Sequence, residues 1–116
     1  MITGMHAIVF SPEAEKVRAF FADTLGLPSA DAGGGWLIFA LPPAELAVHP
    51  AEGRSHHELY LMCDNIQATL AELRAKGVEV ARDVSDQGWG LLATIRLPDG
   101  SEFPVYEPRH PSPLRA

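Results

Sequence analysis

The chain has 116 residues, enough for one domain with its own hydrophobic core and no need of disulfides. Its 9 lysines and arginines against 15 aspartates and glutamates give a formal net charge of −6, so neither a nucleic acid nor an anionic membrane is expected as a partner. A single cysteine, Cys63, excludes an internal disulfide, and no apolar run reaches membrane-spanning length, which together predict a soluble, cytoplasmic protein.

In chain order, the first predicted elements are a strand and a helix. Residues 5–10 are apolar and partly β-branched, as is typical of a strand. Ser11-Pro12-Glu13 predicts a helix start, with serine as the cap and proline at the first helical position. Apolar residues then recur at helical spacing until Gly26, which ends the helix. Residues 28–35 contain three consecutive glycines and predict a loop.

The central stretch, residues 57–77, predicts a strand followed by a helix that ends at Gly77. Alternation places one set of strand side chains against the helix: Leu59, Leu61 and Cys63. The opposite face combines a carboxylate, a phenol and a thioether, a mixture that suits a pocket better than a core: Glu58, Tyr60 and Met62. Five more segments predict strands: residues 36–41, 45–49, 78–84, 91–97 and 102–107.

The two halves of the chain repeat the same order of elements, a strand, a helix and then two or three strands. The helices align at a displacement of 52 residues, which pairs His6 with Glu58. The glycines that end the helices fit a displacement of 51, which would pair His6 with His57 instead. We prefer the first register because it keeps the apolar face of each first strand against its helix.

Several motifs in this order resemble the vicinal oxygen chelate superfamily of glyoxalases, extradiol dioxygenases and bleomycin resistance proteins. They are His6-Ala7-Ile8-Val9-Phe10-Ser11, Phe20-Phe21-Ala22-Asp23-Thr24-Leu25-Gly26-Leu27, Cys63-Asp64-Asn65-Ile66, Gly77-Val78-Glu79-Val80 and Leu97-Pro98-Asp99-Gly100-Ser101. The resemblance implies a single α+β domain of two βαβββ modules, about residues 4–49 and 56–108, with a tail at 109–116. It also implies a curved mixed sheet with helices on the outer face, a ligand cavity on the inner face, and a homodimer.

The resemblance further implies where a metal ion would bind. Enzymes of the family hold a divalent metal with four side chains, one from the first and one from the last strand of each module. His6 and Glu45 match the first two places, Glu58 stands at the third, and Pro104, which has no donor atom, stands at the fourth. The resemblance therefore implies one divalent ion (Mn, Fe, Ni or Zn) on His6, Glu45 and Glu58, or no cofactor.

An aromatic and acidic pocket is expected on the face that carries Tyr60. Trp89 lies between two glycines that let the chain turn sharply, so its ring either stacks on a planar ligand at the cavity mouth or packs over the sheet edge. The residues expected to line the pocket are Trp36, Phe39, His49, Tyr60, Met62, Trp89, Glu102 and Tyr106.

Two functions are consistent with these residues. One is a metal-dependent lyase, isomerase or dioxygenase in which Glu45 or Glu58 serves as base and Tyr60 donates to an oxyanion. The other is a non-catalytic protein of the drug-resistance kind, which sequesters a hydrophobic or cationic small molecule. The acidic balance of the chain and the proline at position 104 favour the second.

Overall fold

The computed structural model describes residues 6–47, 49–50, 52–54 and 57–111. Met5, Val48, His56 and residues 112–116, which belong to the predicted modules and tail, lie outside the described residues. Within the described part the elements are α1 (Ala14–Ala19), β1 (Ser29–Asp31), β2 (Leu37–Phe39), β3 (Leu61–Met62), α2 (Ile66–Ala75), β4 (Val80–Asp86), β5 (Gly90–Arg96) and β6 (Glu102–Pro108). A π-helical turn, Phe20–Thr24, follows α1 directly.

The second half of the chain forms a four-stranded mixed sheet in the order β3-β6-β5-β4. β3 pairs with β6 in parallel, while β6 with β5 and β5 with β4 pair antiparallel. The chain order in this half is strand, helix and three strands, and the predicted α+β class with a mixed sheet is confirmed.

α2 crosses one face of this sheet because its sequence specifies both its ends and its buried stripe. The Asn65 side chain caps the start by accepting a hydrogen bond of 3.0 Å from the Ala68 amide. Ile66, Leu70 and Leu73 are buried, at the spacing that places them on one side of a helix. Gly77, at φ +85°, adopts the left-handed conformation that ends the helix. In the part of the chain that the structure describes, no helix is long and apolar enough to cross a bilayer.

The hydrophobic core lies between α2 and the helix-facing side of the sheet. α1 and the turn after it add Val17 and Phe20 to the same core. Leu61 and Cys63 pack against it as predicted, whereas Leu59 is 41% exposed. Strand alternation puts one set of side chains from β5 and β6 into this layer: Ala93, Ile95, Phe103 and Val105.

Two predictions for the first half need correction. α1 begins at Ala14, and Ser11 is not its cap: the Ser11 hydroxyl accepts from the Glu13 amide at 3.1 Å and donates to Asp99. The predicted loop 28–35 contains β1, which pairs with β2 as a hairpin. The Asp31 carboxylate closes the glycine turn by accepting from the amides of Gly33 and Gly35, so local hydrogen bonds order a segment whose composition predicts only flexibility.

The predicted strands at 6–10 and 45–49 are not paired in the described residues of this chain. A segment becomes a strand only when a neighbour pairs with its backbone, and none of the strands in the described part of the chain pairs with these two. Their side chains are accordingly exposed, Phe10 by 90%, Leu46 by 79% and Ile8 by 61%. The radius of gyration, 15.2 Å, exceeds the roughly 13 Å expected of a compact chain of about 100 residues.

Candidate functional site

The face of the four-stranded sheet opposite α2, called here the open face, carries the candidate site. Register fixes which side chains share it, because Leu61 and Val105 point to the core and their strand neighbours point away. Across the strands Met62 lies beside Tyr106, and Tyr106 lies beside Leu92. Two residues before Tyr106 on β6, and on the same face, Pro104 lies beside Thr94.

Three aromatic rings meet on the open face and form what we call the aromatic cluster: Tyr60, Trp89 and Tyr106. Ring centroids are 5.7 Å apart for Tyr60 and Tyr106, 5.4 Å for Trp89 and Tyr106, and 6.3 Å for Tyr60 and Trp89. The interplanar angles of 70° to 90° are edge-to-face arrangements, each of which stabilises by about 0.5–1.5 kcal/mol beyond area burial. Trp89 and Tyr60 remain 42% and 39% exposed, so their surfaces are available to a ligand.

Gly90 allows this cluster to form. A Cβ at that position would lie 2.7 Å from the Glu107 carbonyl oxygen and 3.1 Å from Cδ2 of Tyr106. Only glycine lets β5 start so close to β6, and that approach sets Trp89 against Tyr106. The sequence predicts that Trp89 is exposed by its glycine neighbours, and the structure adds close strand contact as their second role.

Glu45 and His110 complete the polar side of the cluster. The Tyr106 hydroxyl donates to Oε1 of Glu45 at 3.3 Å and lies 3.3 Å from Nε2 of His110. The imidazole stacks on the Tyr106 ring at 6.0 Å and 29°, and its Nε2 is 3.7 Å from the Glu45 carboxylate. The Glu45 side chain is only 12% exposed, so its charge is largely removed from water and acts on its neighbours with little screening.

Both phenols of the cluster are held in their protonated form. Burial raises the pKa of Tyr106, and the Glu45 carboxylate raises it further. Burial likewise raises the pKa of Tyr60, with the Glu58 carboxylate adding to the effect. At neutral pH the open face therefore offers two phenolic O–H groups and two carboxylates around an apolar aromatic surface.

Several predicted pocket residues lie outside this cluster. Phe39 packs on Phe21 at 5.9 Å, on the side of the helices. Trp36, 69% exposed, lies on the glycine hairpin under the Arg18 guanidinium at 5.3 Å. Glu102 is on the sheet but forms ion pairs with Arg82 at 3.5 Å and Arg96 at 3.7 Å.

His6 and His49 are exposed. Among the residues that the structure describes, no three His, Cys, Asp or Glu side chains form a group that could hold a metal ion. The implied ligand set of His6, Glu45 and Glu58 therefore does not converge within one chain, and we derive no chemical step through a metal. Glu45 and Glu58 instead stand beside the two phenols of the aromatic cluster.

The thiol of Cys63 is not part of the site. It packs toward the core, with Sγ 3.5 Å from the Tyr106 carbonyl oxygen. Burial raises the pKa of this thiol, which favours the thiol over the more nucleophilic thiolate. The predicted direction, toward the helix and the core, agrees with this placement, although the side chain is partly rather than fully buried.

His110 is a site residue that sequence reasoning missed. It lies in a proline-containing tail with no periodic pattern, so nothing in the sequence indicates which face of the sheet it reaches. Two depressions, of about 480 and 360 Å³, lie elsewhere, beside α1 and the glycine hairpin. Neither of these depressions is lined by the aromatic cluster, and the cavity expected over the open face remains a prediction.

Comparison with known proteins agrees with this fold. The crystal structure of TnmS3, an antibiotic binding protein from Streptomyces sp. CB03234, is 25% identical, with a TM-score of 0.62 over 93% of this chain and 99% of that one. Lactoylglutathione lyase from Agrobacterium tumefaciens is 14% identical, with a TM-score of 0.65 over 90% and 92%. A member of the glyoxalase/bleomycin resistance protein/dioxygenase superfamily from Sphaerobacter thermophilus DSM 20745 is 20% identical, with a TM-score of 0.66 over 91% and 98%.

The last two structures share the fold alone at these identities. No significant match is found among curated protein sequences. A sequence model of the Glyoxalase/Bleomycin resistance protein/Dioxygenase superfamily matches residues 5–105, which is most of the chain. The chain therefore belongs to the glyoxalase/bleomycin resistance protein/dioxygenase superfamily.

Proposed function

We propose that this protein binds a flat small organic molecule on the open face and does not transform it. The aromatic cluster carries this proposal, because Tyr60, Trp89 and Tyr106 present partly exposed rings beside two carboxylates. Rings of this kind stack on planar ligands, and carboxylates behind them favour positive charge. Fold alone does not decide function, so the proposed binding rests on the aromatic cluster rather than on the architecture.

The similarity to TnmS3 supports the same function. That protein is described as antibiotic binding, and it is similar to this chain over almost the full length of both. A glyoxalase/bleomycin resistance protein from the same Streptomyces strain is 26% identical, with a TM-score of 0.56 over 81% of this chain and 90% of that one. The open face also places Glu45 and Glu58 beside the phenols of Tyr106 and Tyr60, an acidic and aromatic surface that suits a bound ligand.

We further propose that the protein acts as a homodimer in the cytoplasm. Phe10, Leu46 and Ile8, in segments that pair with no strand among the described residues, expose large apolar side chains of the kind that a partner surface covers. A second copy of the chain would pair those segments and place its residues over the open face, which would turn a surface into a cavity. The free thiol of Cys63 suits a reducing compartment.

Ligand binding is tested by fluorescence in a Trp36→Phe background, where Trp89 is the one tryptophan left of the two in the chain. The probes are flat aromatic compounds of different charge: acridine orange, flavone and anthraquinone sulfonate. We expect at least one to quench Trp89 saturably, with Kd below about 1 mM, and Tyr60→Ala to weaken that binding. Phe39→Leu, which removes a ring on the helix side, is the control and should leave the affinity unchanged. Absence of saturable quenching by every probe would refute the proposal.

The metal-dependent enzyme is tested separately by elemental analysis of untagged protein purified without chelator. Stoichiometric Mn, Fe, Ni or Zn that is lost in both His6→Ala and Glu45→Gln would overturn a purely binding role.

Light scattering after size exclusion tests the assembly: we expect a dimer, and a shift toward monomer in Phe10→Ser. A monomeric wild-type protein would contradict the proposed homodimer.

A further inference from the structure

The C-terminal segment carries an aromatic ring onto the candidate site. The Arg109 amide donates to the Trp89 carbonyl oxygen at 2.9 Å, and its guanidinium pairs with Asp86 at 3.3 Å. These two contacts fix the chain as far as Arg109, and the next residue, His110, then stacks on Tyr106. The His110 side chain is 31% exposed and absent from the hydrophobic core, so its ring can leave the site without disturbing that core.

The polar atoms around His110 decide which kind of group this position can accept. Nδ1 lies 2.8 Å from the Pro111 carbonyl oxygen, which can only accept, so Nδ1 carries a proton. The Tyr106 hydroxyl has one proton and two neighbours, Nε2 of His110 and Oε1 of Glu45, each at 3.3 Å. If that proton points to Nε2, the phenol oxygen faces the Glu45 carboxylate with no hydrogen between them.

The alternative arrangement satisfies every one of these contacts. The phenol donates to Glu45, and its oxygen can then accept from an N–H group at the position of Nε2. The same position is 3.7 Å from the Glu45 carboxylate, which is mostly shielded from water and favours a positively charged donor. The position on Tyr106 is thus complementary to a flat aromatic cation that bears an N–H group.

We propose that His110 is an internal occupant of the ligand site, and that the external ligand is a flat aromatic nitrogen cation with an N–H donor which binds by displacing it. This inference rests on the proposed binding function and names the ligand class of the same site. The ligand would stack on Tyr106 where the imidazole lies and direct its N–H toward the phenol oxygen and Glu45. The tail then lowers the apparent affinity, because only molecules with the ring displaced can bind.

Calorimetric titration with two dyes tests both parts of this proposal. Acridine orange is a flat cation whose N–H is on the ring nitrogen, and its ring N-methyl derivative has the same charge and shape without that donor. We expect His110→Ala to bind acridine orange about tenfold more tightly than wild type, the equivalent of removing one competing hydrogen-bonded contact. The N-methyl dye should bind His110→Ala more weakly than acridine orange does, and Glu45→Gln should abolish that difference.

Gln67→Ala, on the exposed surface of α2, is the control and should bind both dyes as wild type does. Equal or weaker binding of acridine orange by His110→Ala would overturn the proposal, as would equal affinity for the two dyes. If the neutral or anionic probe binds best, the proposed function stands and this inference fails. If no flat compound binds wild type or His110→Ala, both fail together.

Discussion

The Tyr106 hydroxyl lies 3.3 Å from the Glu45 carboxylate although the two residues are 61 positions apart in the chain. Glu45 comes from an extended segment of the first half, and Tyr106 comes from β6 in the second. The contact therefore joins the two halves on the open face, and it places a nearly buried negative charge on the central ring of the aromatic cluster. The ionisation of Tyr106 should report on this contact directly.

The two tyrosines of the chain are both in the cluster, so tyrosinate absorbance in the near ultraviolet reports on the site alone. We expect both to ionise above the ordinary value of about 10, because burial and a nearby carboxylate raise each pKa. Glu45→Gln should lower the pKa of Tyr106 toward that value, and Glu58→Gln should lower that of Tyr60. Since the raised pKa favours the protonated folded state, the associated stability is present below about pH 10 and lost as pH rises through the raised pKa.

Each of these variants is the control for the other. Because Glu45 acts on Tyr106 and Glu58 on Tyr60, the two substitutions should move different steps of the titration. If Glu45→Gln left both steps unchanged, the contact between the two halves of the chain would not exist in solution.

The sequence predicts the second half of this fold well and the first half less well. Helix α2 and strands β4 to β6 are indicated by local signals, namely a glycine stop at Gly77 and strand-like segments separated by turn residues. The strands expected at 6–10 and 45–49 are not paired among the residues that the structure describes, because pairing depends on a neighbour that no local pattern supplies. β1 was not predicted, because it lies in a glycine-rich stretch whose turn is ordered by hydrogen bonds to the Asp31 side chain.

The site, like the fold, is predicted where local patterns act and not where long-range contacts decide. Alternation along the central strand correctly separates Tyr60 and Met62 from Leu61 and Cys63. Trp89 and Tyr106 join Tyr60 as expected, whereas Phe39 and Trp36 do not, since both lie on the hairpin whose position depends on long-range packing. His110 could not be predicted, because contacts at Trp89 and Asp86, not any pattern in the tail, direct it to the site.

A second pH-sensitive contact joins Ser11, which precedes α1, to the turn between β5 and β6. Hydrogen bonds from Ser101 and Ser11 hold the pKa of Asp99 at about 2, below its ordinary value of 3.8. A lowered carboxyl pKa contributes stability that is present above the ordinary value and is lost as pH falls through about 2. We expect Ser101→Ala to raise this pKa most and Ser11→Ala to raise it less, measured by carboxyl NMR titration. Ser85→Ala, on β4, is the control; an unchanged Asp99 titration in Ser101→Ala would contradict the assignment.

Gly90→Ala should destabilise the fold and disturb the aromatic cluster together. The added methyl would sit 2.7 Å from a backbone oxygen of β6, so the two strands must separate. Overpacking of this kind costs about 1–3 kcal/mol, which urea unfolding measures, and the near-ultraviolet circular dichroism of the cluster should weaken. Gln87→Ala, in the adjoining turn, should stay within about 0.5 kcal/mol of wild type. If Gly90→Ala matched that control, the close approach of the strands would not exist.

The start of α2 is held by two side chains that satisfy different amide groups. Asn65 accepts from the Ala68 amide, and Glu107 on β6 accepts from the Ile66 amide at 3.0 Å. Because Ile66 is fully buried, Glu107→Ala would leave its amide without an acceptor and should cost about 1–3 kcal/mol. Glu107→Gln keeps an oxygen acceptor and loses only the charge at the helix N-terminus, so it should cost about 0.3–1 kcal/mol.

Asn65→Ala should cost about 1 kcal/mol by removing a local cap, whereas Glu107→Ala also removes the tie between α2 and β6. Hydrogen exchange separates the two effects: the Ile66 amide should lose protection in Glu107→Ala, and the Ala68 amide in Asn65→Ala. Gln67→Ala, an exposed neighbour between those amides, should change neither. If Glu107→Gln proved as destabilising as Glu107→Ala, the negative charge of Glu107 rather than its acceptor oxygen would hold the start of α2 to β6.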